Sequence, residues 1–98
     1  MEKFNYNVLS TLIGESVEVF DHDSEQKLTN LVIAEVKRGA ADGDQFDAFA
    51  VAFKGQQDCH CPQANYLFKH AQFGSVILFM VPHAIDEYKV YISRNKVG

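Results

Sequence analysis

The chain has 98 residues, 47% of them hydrophobic, 22% charged and 12% aromatic. That fits one domain spanning residues 1–98, folded rather than disordered. Nine Lys and Arg against thirteen Asp and Glu leave a net charge of −4, which argues against a nucleic-acid partner, since that needs a basic face.

The first element expected is a helix over residues 6–14. Val8, Leu9, Leu12 and Ile13 fall on one helical face, and Gly14 is placed to end it. Residues 16–20 alternate, with Val17 and Val19 on one face, and residues 21–25 read as a turn. Residues 27–37 form a long strand with two apolar sets. Leu28, Val32, Ala34 and Val36 share one parity, while Leu31 and Ile33 share the other. The strand is therefore either covered on both faces or bulged.

Residues 39–45 form a loop. In residues 46–53, Asp47, Phe49, Val51 and Phe53 alternate with Ala48, Ala50 and Ala52. The large side is expected inside, with something packed closely on the alanines. After a loop over residues 55–63, a strand over 65–70 puts Tyr66 and Phe68 on one face. Residues 71–74 make a hairpin turn. Residues 75–82 are a continuous apolar strand, expected to be central and to end at Pro82. Residues 88–92 close the sheet, with Tyr88, Val90 and Ile92 inward and Tyr91 outward.

Six strands with connections too short for helical crossovers predict an all-β, mostly antiparallel domain. Twisted sheets of this size close into a small barrel or split into a compact sandwich. The N-terminal helix is expected to plug one end. Charge is uneven along the chain. Residues 15–58 carry a net −6 and residues 59–98 a net +2, which suits either acidic solvated loops or an acidic edge meeting a basic partner.

Phe49-x-x-x-Phe53-x-Gly55, then Pro62-Gln63-x-x-Tyr66, His70, Gly74, and Leu78-Phe79-x-Val81-Pro82 form one ordered pattern. It resembles an uncharacterised family of small bacterial β-domains with the pattern F-x-L-x-F-x-G, P-x-x-P-Q-G-x-Y-x-L-x-H and G-x-x-x-L-F-x-V-P. The step from Leu9 to Gly14 also matches, so the resemblance covers residues 9–93. Cys59 stands where the family prefers proline, and Ala64-Asn65 replaces a Gly-x pair. The resemblance implies a barrel or sandwich with no assigned activity. It also implies a structural or assembly role, through an association with tail-collar-type phage-like proteins.

Cys59-His60-Cys61 is the most conspicuous chemical feature. Thiolates and imidazole are donors for zinc or copper. The spacing differs from that of a structural zinc site, and His22, His70 or His83 would have to complete the set. The same residues offer a cysteine nucleophile, but no helix N-terminus or basic cluster lowers a thiol pKa here. Asp42-Gly43-Asp44 with Asp47, and the cluster Asp21-His22-Asp23-Ser24-Glu25, lack the spacing and distal Glu of a calcium loop. Turn capping explains both. Gln63, Tyr66 and His70 are a possible ligand set. They also suit a bland role, with the Tyr66 hydroxyl and the Gln63 amide tying down a loop and His70 fixing a turn.

No nucleophile elbow, P-loop, zincin or dinucleotide motif is present. No apolar run reaches the roughly 18 residues of a membrane span, and the first residues carry no signal-peptide core. Two cysteines one residue apart cannot staple distant parts of a fold, so a reducing cytoplasm is expected. The sequence thus predicts a non-enzymatic β-domain without cofactor, catalytic residue or membrane contact. It is expected to act through a protein partner or self-association. The alternative is a ligand- or metal-binding barrel using the Cys59-His60-Cys61 loop.

Overall fold

The computed structural model describes residues 4–39, 46–56 and 61–95; of residues 46, 47, 94 and 95 it describes the backbone alone. Cys59, His60 and the Asp42-Gly43-Asp44 cluster, together with the Asp47 side chain, lie outside the described residues.

The chain opens with helix α1 (Tyr6–Ser10). Asn5 is its N-cap, and its side-chain oxygen accepts the Val8 N–H at 2.9 Å. The helix is shorter than the apolar spacing predicts. The Thr11 and Leu12 amides bond three residues back, to Val8 and Leu9, so the last turn tightens. The Ser10 and Thr11 hydroxyls also donate to the Asn7 and Val8 carbonyls. Gly14 then takes φ +92°, a conformation open to glycine and strained for residues with a Cβ.

Six strands follow: β1 (Ser16–Asp21), β2 (Lys27–Arg38), β3 (Phe46–Lys54), β4 (Ala64–His70), β5 (Gly74–Ala84) and β6 (Glu87–Asn95). Every pairing is antiparallel, and the order β1-β2-β3-β6-β5-β4 closes into a barrel. The barrel alternative is therefore the correct one. Closure depends on two ladders between strands distant in sequence. β1 pairs with β4 from Glu18↔Lys69 to Asp21↔Tyr66. β3 pairs with β6 from Phe46↔Asn95 to Lys54↔Glu87.

The two apolar sets of β2 are reconciled by a bulge. The register to β3 shifts between Ile33 and Glu35. Leu31 and Ile33 point inward before the shift, Val36 after it, and Leu28 and Val32 are exposed. A bulge inserts one residue and moves the inward parity by one.

Strand β5 departs from expectation twice. It runs two residues past Pro82, which pairs opposite Tyr88 just before another register shift. An irregular ladder tolerates the missing N–H. Nor is β5 covered on both faces. Val76, Leu78 and Met80 are buried, but Ile77 and Phe79 are exposed.

The barrel interior is filled by Val17, Val19, Leu31, Ile33, Val51, Phe53, Phe68, Met80, Tyr88 and Val90, all nearly inaccessible. Each fully buried side chain of this kind contributes about 1.5–3 kcal/mol. Phe4, Leu9 and Leu12 join the same cluster. The Phe4 ring lies 6.0 Å from Phe49 and 5.2 Å, edge-on, from Phe73. The segment around α1 thus plugs the end where β3 begins and the β4–β5 turn sits, as the sequence predicts.

Candidate functional site

Gln63, Tyr66 and His70 do not converge. Tyr66 and His70 both face inward along β4, but four residues of strand separate them by about 13 Å. Gln63 is exposed just before the strand. Each end of β4 is instead a separate small polar construction.

At the first end, Tyr66 is buried and its hydroxyl donates to the Pro62 carbonyl at 2.6 Å. The phenol therefore ties the P-Q loop, as its position suggests, without the Gln63 amide. Burial raises the Tyr66 pKa, with Cys61, Tyr88 and Asp21 adding to the effect. Beside it Cys61 is buried, and its amide donates to the Tyr88 hydroxyl at 3.0 Å.

At the other end, His70 is held on both ring nitrogens. Nδ1 accepts the Gln72 amide proton at 3.0 Å, and Nε2 lies 3.0 Å from Glu15 Oε1. Its ring stacks on Phe73 at 5.5 Å. The turn-fixing role expected of His70 is present. Its Glu15 partner sits 55 residues away in sequence and has no local signal.

Among the described residues the other histidines are apart. His22 is exposed and bonds Asp23, while His83 bonds the Tyr91 hydroxyl at 3.2 Å. Among the described residues no three His, Cys, Asp or Glu side chains form a metal-binding group. The Asp21 carboxylate accepts amide protons from Ser24 and Asp23, as the turn-capping reading predicts. Those bonds, Ser24 first, hold its pKa below the usual carboxylate range.

On the outer wall a pocket of about 330 Å³ opens where β2 and the end of β5 bulge. Ala34 and Ala52 are among its lining residues, and Lys54, Glu87 and Lys89 supply charge. Lys54 and Glu87 pair across it at 2.9 Å. The pairing raises the Lys54 pKa and lowers that of Glu87.

A second outer feature is apolar. Phe20 stands opposite Leu67, and Leu67 opposite Ile77, so one row crosses β1, β4 and β5. Phe79 lies two residues further along β5 on the same face. The sequence signal for this row was the continuous apolar run of β5, in which both parities are apolar.

A closed six-stranded antiparallel barrel with a helical plug defines the class. Residues 4–92 match the family described as Domain of unknown function (DUF6916), and the chain belongs to that family. No curated protein and no solved structure matches it.

Proposed function

We propose that this barrel is a non-enzymatic assembly module that pairs with a second copy of itself through the outer face of β1, β4 and β5. The observation that supports it is the apolar row. Ile77 is 53% and Phe79 48% exposed, and Phe20 and Leu67 are half-buried beside them. Scattered exposed apolar residues are ordinary, but a contiguous patch with a polar rim is the mark of a contact surface.

Two further features favour a second copy as the occupant. Strand β5 carries no Asp, Glu, Lys or Arg, so covering its outer face takes no charge of that strand out of water. The rim holds both signs: Glu18 stands opposite Lys69, whose ammonium lies 4.6 Å from the Phe20 ring centre. Under a two-fold axis each sign meets the other. A standard interface takes about 800 Å² from each partner, so the four apolar residues form its centre and polar neighbours its rim.

The metal- or ligand-binding alternative rests on Cys59 and His60, outside the described residues, and on Cys61, which is buried. Sedimentation velocity on the wild type and on a double variant, Ile77→Ser with Phe79→Ser, tests the proposal. The wild type is expected as a dimer and the variant as a folded monomer. A wild type that stays monomeric through the micromolar range sinks the proposal.

A further inference from the structure

We infer that His70 is a proton-operated latch joining the β4–β5 turn to the segment that enters β1. The Gln72 backbone N–H can only donate, so the Nδ1 that accepts it carries no proton. The ring proton is then on Nε2 and is donated to Glu15 at 3.0 Å. This tautomer is assigned from the bonding pattern. The His70 side chain is only 11% exposed, while its partners Glu15 and Gln72 stand at the surface.

Adding a proton to Nδ1 sets one donor against another and breaks the Gln72 bond. The same proton turns the Glu15 bond into a charge-assisted ion pair, which is stronger. One protonation thus exchanges a bond inside the turn for a tighter tie across 55 residues of sequence. Histidine ordinarily makes this change between about pH 5 and 8.

The surrounding charges leave the exchange to Glu15. On β4, Lys69 directs its ammonium over the Phe20 ring. On β1, Glu18 is paired with Lys27 at 3.2 Å. Turn residues 71–73 carry no charge. Among the described residues, Glu15 is the charged group that touches the ring. The effect reaches the plug as well. His70 stacks on Phe73, and Phe73 meets Phe4 edge-on at 5.2 Å. In the protonated state the turn holding Phe73 loses its Gln72 bond, while the end of β4 is held harder to Glu15.

Nitrogen-15 NMR of the full chain between pH 8 and pH 5 tests this without any substitution. The His70 ring nitrogens report the proton, and the Gln72 amide reports the bond. At high pH the Nε2–H tautomer is expected. On acidification the Gln72 amide should shift with the same midpoint as the ring. Its exchange protection, corrected for intrinsic rate, should fall about two- to tenfold, the worth of one ordinary hydrogen bond. A Gln72 amide that stays unmoved while His70 titrates overturns the latch, as does an Nδ1–H tautomer at high pH. In Glu15→Gln the Gln72 amide should still follow the protonation of the ring, and an amide that no longer follows it overturns the latch.

Discussion

The Tyr88 hydroxyl accepts the Cys61 amide proton at 3.0 Å, joining residues 27 apart in a buried position. Tyr88 belongs to β6 and Cys61 to the chain leading into β4, so the bond pins that loop over the barrel end. Tyr88→Phe keeps the ring and removes the acceptor. The expected loss is about 1–3 kcal/mol, the cost of taking a partner from a buried polar group. Tyr66→Phe should cost less, about 0.5–1.5 kcal/mol, because the Pro62 carbonyl is in an exposed residue. Urea denaturation of both variants checks the order, and a reversed order contradicts it.

Gly55 lies in the same corner. A Cβ there would come within 2.6 Å of Leu31 Cδ2 and 3.2 Å of Tyr88 Cε2, both in fully buried side chains. The buried Leu31 terminus must move to make room, so Gly55→Ala should cost about 1–3 kcal/mol, the range for overpacked cores. The thermal midpoint would show it. An unchanged midpoint would mean that the Leu31 terminus relaxes freely.

Phe4 tests the plug. It is wholly buried and meets rings from β3 and from the β4–β5 turn. Phe4→Ala should cost about 3–5 kcal/mol, whereas Phe79→Ser on the outer wall should change monomer stability little. Equal losses in the two variants would contradict the assignment of inner and outer faces.

Asp21 and Glu87 set part of the acid limb of stability. Amide bonds from Ser24 and Asp23 lower the Asp21 pKa, and the Lys54 pair lowers that of Glu87. Each carboxyl binds its proton less readily when folded. Its contribution is therefore present above the ordinary carboxylate value and is lost as pH falls through the lower folded value. Lys54, raised by the same pair, contributes below the ordinary lysine value and loses that as pH rises through its folded one. Carboxyl carbon NMR should place both acids below the ordinary range. Salt should shrink the Glu87 displacement more than that of Asp21, because an exposed ion pair is screened. An Asp21 that titrates normally contradicts the turn geometry.

Much of the fold was legible because alternation is local. The inward sets of β1, β3, β4 and β6 follow from residues two apart. Even the bulge in β2 was signalled, by Leu31 and Ile33 on one parity and Val36 on the other. Barrel closure was not legible, because the β1–β4 and β3–β6 registers join distant strands. Pro82 misled because a bulge beside it lets the strand continue. At the site, the tie of His70 to its own turn was legible, with its partner two residues away. The ties of His70 to Glu15 and of Cys61 to Tyr88 were not, since no local pattern encodes them. The outer row was visible as surplus apolar residues in β5, but the same surplus suits a strand buried on both faces.

Native mass spectrometry of the untagged protein decides between self-association and ligand binding, because one spectrum gives subunit number and bound mass together. The expected result is a dimer with no mass beyond the two chains, lost when Ile77 and Phe79 are replaced by serine. A monomer carrying the mass of a metal ion or small molecule would contradict it and turn attention to Cys59, His60 and Cys61.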